Sequence, residues 1–204
     1  MPYNRRVKSR FKQSISQVDE LLEVHQQLQT GPARSKSDHL LRASLTMTVS
    51  ALDTLVHELI INAIMFELKE SKSVFKTNRI TIDISVALES SIENRLRLIE
   101  SSLRRQYSKR SFQSSRQIEE ILATIGITKI WTKLSCLLGQ SAEDIKTRLD
   151  LIVRRRNLIV HEGDLDQLHN PYEIERKHIE TSCEFCKSLT YGIIEEFTKM
   201  VDAG

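Results

Sequence analysis

The sequence has few of the residues that interrupt helices. It contains six glycines and three prolines among 204 residues, which leaves few turn positions for the many short strands of an all-β fold. A chain of this length fits one domain. We therefore predict a single all-α domain, residues 1–204, built from about six or seven helices. Within it, residues 1–34 form a basic amphipathic helix and a turn, and residues 35–204 form the core.

The sequence also lacks the marks of a secreted or membrane protein. Its three cysteines are an odd number without the spacing of a disulfide framework. The N-terminal segment MPYNRRVKSR has no apolar stretch of the kind found in signal peptides. The longest apolar run, residues 59–68, contains Asn62 and Glu67 and is too short to span a bilayer. We predict a cytoplasmic protein that does not bind a membrane.

Several common catalytic motifs are absent as well. The sequence has no Gly-rich phosphate-binding loop, no acidic cluster suited to magnesium and no hydrolase nucleophile motif. Cys183 and Cys186 share a helix face near His178, but no second pair of ligands completes a zinc site. We predict that both are core cysteines, and we expect no metal and no cofactor.

Basic residues are concentrated in two clusters, although the net charge is only +3. Residues 2–12 and residues 104–116 each contain five lysines and arginines and no acid. Such clusters can follow a phosphate backbone through charge attraction and counterion release. The alternative for each cluster, a solvated helix face, stays open at this point.

Apolar spacing predicts where the principal helices lie. Residues 5–29 show the pattern of an amphipathic helix. A second helix, starting near residue 37 and running towards residue 72, is apolar on nearly every face and is predicted to be the central one. Residues 79–85 alternate like a short strand, and we interpret them as an extended connection. Asn170 as N-cap and Pro171 as first helical residue predict the start of the last helix.

The segment RRRNLIVHEGD, residues 154–164, holds a cation, an amide and an imidazole close together. A helix is predicted from Ser141, an N-cap residue, to the glycine of this segment, which favours a helix stop. On that helix Asn157 precedes His161 by four residues and Arg154 precedes it by seven. All three side chains are therefore predicted to share one face.

This segment resembles the motif of the HEPN superfamily, in which four to six residues separate an Arg from the His that follows it. From about residue 40 to the C-terminus, the chain is similar to the RiboL-PSP-HEPN family in particular. The residues that carry this resemblance are SALDTLVHEL at 50–59, RSFQS at 110–114, Ile118-Glu119, Gly126-Ile127 ahead of Trp131, and RRNLIVHEGD at 155–164.

The resemblance implies a helical bundle that pairs into a homodimer. Many members of the family are metal-independent endoribonucleases, and others are inactive modules that bind RNA or a protein partner. Members often occur in defence or toxin–antitoxin systems. The resemblance thus implies RNA as a partner, together with an antitoxin or another protein of a defence system.

The residues of the motif suit RNA cleavage by the ribose 2′-hydroxyl. That reaction needs a base, an acid and a cation for the crowded phosphorane. His161 can serve as general acid or base near neutral pH, Arg156 can stabilise the phosphate, and Asn157 can orient the imidazole or hold a phosphate oxygen. Because one chain offers one such histidine, we predict a composite site across a dimer interface.

The roles of the neighbouring charged residues stay open. Arg156 is the preferred catalytic arginine, and Arg154 and Arg155 are predicted to bind substrate, but the spacing to His161 permits any of the three. Four further residues are candidates for orienting His161 or pairing with the arginines, the alternative being hydrogen-bonded structural groups: Asp53, His57, Glu58 and Asp164. A non-catalytic module that binds RNA or a protein is the alternative function.

Overall fold

The computed structural model describes residues 2–29, 34–70 and 84–203. These residues form eight helices: α1 Pro2–Leu28, α2 Arg34–Glu70, α3 Ile84–Ala87, α4 Ile92–Tyr107, α5 Ser115–Thr124, α6 Ile130–Leu138, α7 Ala142–Glu162 and α8 Arg176–Ala203. The described ranges contain no strand, so the all-α prediction is confirmed. The helix beyond the predicted six or seven is the four-residue α3. Most of the predicted extended connection at 79–85 lies outside the described residues.

The long helix α2 is the centre of the bundle. It packs against α1, α4, α5, α7 and α8, and most of its apolar side chains are buried, on every side of the helix, as predicted. Length and composition alone would let this helix cross a membrane, but 72% of its most apolar window is buried within the fold. The core helix of a bundle has the same apolar character. The buried side chains include Leu41, Leu45, Val49, Leu52, Val56, Leu59, Ile60 and Ala63.

Helix α1 packs its apolar stripe onto α2 and α8, in the same hydrophobic cluster as the rest of the core. Five side chains at a spacing of three or four residues form the stripe, as expected of one helix face. Polar contacts hold the helix towards both ends: Arg10 forms an ion pair with Glu58 of α2, and near the other end the Gln29 amide hydrogen-bonds to His25 and Ser37. The buried stripe consists of Val7, Phe11, Ile15, Val18 and Leu22.

Local sequence signals set both ends of α7. The Ser141 hydroxyl accepts a hydrogen bond from the Asp144 amide at 3.0 Å, which supplies an N-cap. At the other end Gly163 has a φ of 67°, in the left-handed region that favours glycine. Both ends are as predicted. The helix therefore keeps the 154–162 segment regular, with His161 in its last turn.

The predicted start of the last helix is wrong. Helix α8 begins at Arg176, and Pro171 instead pairs with Leu165 in an isolated antiparallel bridge. The adjacent Tyr172 amide donates to the Asp164 carbonyl at 2.8 Å. These contacts fold residues 163–172 into a compact loop after α7. They outweigh the local preference of Asn170-Pro171 for a helix start.

Candidate active site

Three polar residues of the 154–164 segment share an exposed face of α7. Arg154, Asn157 and His161 are all exposed, and the continuous helix places them in one row about two turns long. Within the described part of the chain, neither the Arg154 guanidinium nor the His161 imidazole has a hydrogen-bond or ion-pair partner. Both are therefore free to contact a ligand. The common face of these three residues agrees with the sequence prediction.

Arg156 lies beside this row and is half-buried. Its Nη1 donates to Asn157 Oδ1 at 3.1 Å, so the amide links this guanidinium to the exposed face. The Nε of Arg156 is buried and has no hydrogen-bond partner among the described residues. An unsatisfied buried donor is unfavourable in a helix that is purely structural. Two arginines thus flank Asn157, one exposed and one half-buried.

Arg155, predicted to bind substrate, points away from this face. Its Nη2 donates to Asp164 Oδ2 at 2.9 Å and to the Glu173 carbonyl at 3.1 Å, and its guanidinium lies 5.3 Å from the centre of the Tyr172 ring. These contacts join α7 to the segment that precedes α8. In this geometry Arg155 stabilises the packing of α7 against that segment.

Asp164 is fully buried and is held by a second arginine from α2. The Nε of Arg42 donates to Asp164 Oδ2 at 2.7 Å, and Arg42 Nη2 donates to the Tyr172 carbonyl at 2.8 Å. Sequence reasoning missed Arg42, because nothing in its local pattern marks it. The only available signal was Asp164 itself, which needs a cationic partner if it is buried. We call Arg42, Asp164 and Arg155 the α7 clamp.

The loop after α7 has its own internal hydrogen bonds. The amides of Gly163 and Asp164 donate to the Leu158 carbonyl. Further along, the Asp166 carboxylate accepts the amides of Asn170 and Leu168, each at 2.8 Å. The bond from the Asn170 amide is the main cause of the lowered pKa of the Asp166 carboxyl. The loop is therefore a defined element beside His161.

The three candidates on α2 make their contacts elsewhere. Asp53 Oδ1 accepts the Phe112 amide at 2.6 Å. His57 Nε2 lies 2.9 Å from the Tyr107 carbonyl, while its Nδ1 lies 2.8 Å from the Asp53 carbonyl. Both residues are partly buried, and their hydrogen bonds hold the connection between α4 and α5.

Glu58 binds two arginines from other helices. Its Oε1 accepts from Arg10 Nη1 of α1 at 2.6 Å and from Arg104 Nη1 of α4 at 2.7 Å. We call Arg10, Glu58 and Arg104 the α2 clamp. Asp53 and Glu58 follow Arg42 by about 16 and 24 Å along α2, at 1.5 Å per residue. The structure therefore brings only Asp164, of the four supporting candidates, close to the end of α7.

The basic clusters are partly neutralised within the protein. Arg104 pairs with both Glu58 and Glu100, and Arg116 pairs with Glu120. Arg105 and Lys109 are exposed and have no ion-pair partner within the described residues. In the N-terminal cluster, the side chains of residues 1–6 lie outside the description.

The cysteines considered as metal ligands lie in the core. Cys183 and Cys186 are buried, and Cys183 Sγ lies 3.1 Å from Thr48 Oγ1. Burial raises the pKa of the Cys186 thiol to about 12, which favours the protonated form over the thiolate that binds metals. His178 is exposed instead and lies 3.6 Å from Glu175. The prediction of core cysteines is confirmed.

An all-α bundle that presents an Arg–Asn–His row at the exposed end of a helix has the architecture and motif of the HEPN superfamily. The RiboL-PSP-HEPN family model matches residues 12–199. The chain therefore belongs to the RiboL-PSP-HEPN family. Comparison with curated proteins and comparison with solved structures each gave no match.

Proposed function

We propose that this protein is a metal-independent endoribonuclease that acts as a homodimer. The observation that carries the proposal is the exposed row of Arg154, Asn157 and His161 on α7, with Arg156 bound to Asn157, in a chain of the RiboL-PSP-HEPN family. An imidazole and guanidinium groups are what cleavage by an internal 2′-hydroxyl requires. A defence or toxin–antitoxin setting in the cytoplasm, with a cognate inhibitor protein, is part of the proposal.

The proposed reaction has two proton transfers. One copy of His161 removes the proton from the ribose 2′-hydroxyl, and the oxygen attacks the adjacent phosphorus. The bond from phosphorus to the 5′-oxygen breaks, and the second copy of His161 donates a proton to that oxygen. The products are a 2′,3′-cyclic phosphate and a 5′-hydroxyl, and no water, metal or oxidant is consumed. Arg156 stabilises the charge of the phosphorane, and Arg154 contacts a neighbouring phosphate.

A dimer is proposed because a single chain offers one imidazole at this face. Two exposed apolar side chains support a protein contact at this end of α7: Val160 precedes His161 in the helix, and Leu168 lies in the loop that follows. Apolar side chains beside a polar site are common at protein interfaces. A two-fold axis near His161 would bring both imidazoles to one phosphate.

The direct test is cleavage of total RNA in EDTA by freshly purified protein. We expect cleavage by the wild type and a loss of about 10²-fold or more in His161→Ala, the range typical of general acid–base catalysis. The matched control is His178→Ala, since His178 is also an exposed histidine but lies on α8. Equal cleavage by wild type and His161→Ala would contradict the proposed role.

The composite site has its own test. Wild-type and His161→Ala chains carrying different tags are co-expressed in varied ratios, so that mixed dimers form. If each site needs two copies of His161, activity falls as the square of the wild-type fraction. A linear fall would show that each chain acts alone, which contradicts the dimeric site while leaving the ribonuclease proposal intact.

A non-catalytic module is the second candidate, and the exposed Val160 and Leu168 favour it, because apolar side chains exposed in the last turn of α7 and in the loop after it also suit a protein partner. This function predicts salt-sensitive RNA binding or partner binding without cleavage. Binding of a labelled RNA that is lost in Arg154→Ala, with no cleavage products in either sample, would decide for it.

A further inference from the structure

The end of α7 is tied to the centre of the bundle through one buried carboxylate. The Asp164 side chain is 0% exposed, and that of Arg42 is 11% exposed. A fully buried charge is strongly unfavourable unless it is paired and hydrogen-bonded. Both arginines of the α7 clamp donate to Asp164 Oδ2, Arg42 from α2 and Arg155 from α7, while Asp164 Oδ1 is buried without a hydrogen-bond partner among the described residues. The clamp therefore fixes the position of Asp164 relative to both helices.

The same arginines also hold the backbone of the loop. Arg42 donates to the Tyr172 carbonyl and Arg155 to the Glu173 carbonyl, while the Asp164 carbonyl accepts the Tyr172 amide. Each guanidinium thus binds a carboxylate and a main-chain carbonyl at the same time. The ammonium group of a lysine lacks the planar fork that allows this geometry. The incoming and outgoing arms of the loop are joined to α2.

The last turn of α7 depends on this attachment. Helix ends fray, because their last carbonyls lack partners within the helix. Asp164 follows His161 by three residues, and its amide donates to the Leu158 carbonyl, so the held residue closes the turn that contains the histidine. No described side chain bonds to the imidazole itself. The place of His161 is therefore set by the backbone of this turn.

We propose that Arg42 and Asp164 are positioning residues for His161: through the α7 clamp they hold the last turn of α7 in the one place where the imidazole can reach a phosphate. This inference rests on the proposed ribonuclease function for its kinetic consequence, but not for its structural one. A misplacement of about 1 Å can lower a rate by about 10²-fold. Loss of the clamp then lowers kcat more than it raises KM, because binding by Arg154 and Arg156 does not pass through it.

The test compares Arg42→Met with Lys187→Met. Lys187 is a similarly buried cation, with 16% of its side chain exposed, and joins α8 to Asp19 of α1. Hydrogen exchange of the backbone amides of residues 158–164 and the imidazole NMR signal of His161, assigned by its loss in His161→Ala, report the position of the turn. RNA cleavage in EDTA reports kcat and KM.

In Arg42→Met we expect amide exchange in 158–164 to rise at least tenfold, the His161 signal to shift or broaden, and kcat to fall about 10–100-fold with KM within about threefold. Lys187→Met should leave the exchange of these amides and the His161 signal as in the wild type. Arg42→Lys, which keeps the charge but has no planar fork, should lie between wild type and Arg42→Met. It also provides the comparison if Arg42→Met does not fold.

Two results would overturn the inference. One is unchanged exchange and an unchanged His161 signal in a folded Arg42→Met or Arg42→Lys protein. The other is an equal effect of Lys187→Met, which would make the change a general loss of stability. If the wild type does not cleave RNA, the proposed function fails, whereas the exchange and NMR measurements still decide whether the clamp positions His161.

Discussion

Two buried carboxylates, each held by two arginines, lie towards opposite ends of α2. In the α7 clamp the Asp164 side chain is 0% exposed, and its partners Arg42 and Arg155 are 11% and 27% exposed. In the α2 clamp the Glu58 side chain is 11% exposed, and its partners Arg10 and Arg104 are 58% and 36% exposed. Both clamps pair one carboxylate with two arginines, but the carboxylate of the α7 clamp is shielded from water, whereas the arginines of the α2 clamp are exposed to solvent.

The two clamps also differ in what the arginines hold besides the carboxylate. Arg104 shares its second bond with another side chain, Glu100, so the α2 clamp joins helices through side chains alone. In the α7 clamp both arginines bind main-chain carbonyls of the loop beside His161. The α2 clamp connects helices that already share apolar contacts, and the α7 clamp orders a loop and a helix end. We therefore expect an ion pair to contribute most to backbone order where apolar packing does not fix the backbone.

The largest stability loss is expected from Asp164→Ala. Removing the carboxylate leaves two poorly exposed guanidinium groups without their partner, and breaking a buried pair in this way costs about 3–5 kcal/mol. Urea unfolding followed by circular dichroism would measure the loss. Asp164→Asn, which keeps the shape and one acceptor oxygen, should lose less. A loss below that of Glu58→Ala would contradict the contrast between the two clamps.

The Gly192→Ala substitution changes packing without changing charge, and its stability loss is a reference for the losses in the two clamps. Gly192 of α8 packs against α6, where a methyl group would lie 2.9 Å from Leu137 Cδ2 and closer still to Leu134 Cδ2. Alanine gains helix propensity of about 1 kcal/mol, but overpacking costs more, and we expect a net loss of about 1–3 kcal/mol for Gly192→Ala. The loss should be the same in 0.1 M and 1 M NaCl. A marked salt dependence would show that denaturation also senses charge here.

Glu58→Ala should cost less, roughly 1 kcal/mol, because solvent around Arg10 and Arg104 weakens the pairs and remains available to both groups afterwards. Salt screens exposed pairs, and the Debye length falls from about 10 Å at 0.1 M to about 3 Å at 1 M. The cost of Glu58→Ala should therefore shrink in 1 M NaCl, while that of Asp164→Ala changes little. Equal salt dependence of the two variants would show that the α7 clamp is not dry.

Local signals in the sequence were sufficient for most helices and for the face of the site. Ser141 and Gly163 act on their own neighbours, so the ends of α7 could be read from residues close in the chain. The row of Arg154, Asn157 and His161 follows from helical periodicity alone. The burial of α2 on every side follows from its uniform apolar character.

Contacts between distant segments could not be read in this way. Arg42 and Asp164 are 122 residues apart, and no local pattern connects them. Arg155, predicted to bind substrate, contacts Asp164 nine residues along the chain, across the end of α7, where helical periodicity no longer applies. Pro171 failed as a helix start because its neighbour Tyr172 is bound by Asp164 and Arg42. Arg42, Arg155 and the Pro171 loop thus all involve Asp164, whereas Asp53, His57 and Glu58 of α2 form contacts of their own.

The smallest effect is expected from acid at the Arg42 end of α2. There His25 is buried, and burial, followed by the nearby Arg176, lowers the pKa of its imidazole, against the opposing influence of Asp38 and Glu180. The unfolded chain binds a proton below about pH 6.5, while the folded chain does so only at lower pH. Stability should therefore fall as the pH drops below about 6.5, with a slope of at most one proton.

Urea midpoints at pH 7.5 and 5.5 would show this fall in stability, and His25→Gln should reduce it. If His25→Gln and the wild type lose the same stability over this range, the acid sensitivity lies in other groups. His25→Gln should remove the loss of stability in acid, whereas Arg42→Met should leave that loss unchanged. This pair of results would show that the burial of His25 and the Arg42–Asp164 ion pair contribute independently to stability at this end of α2.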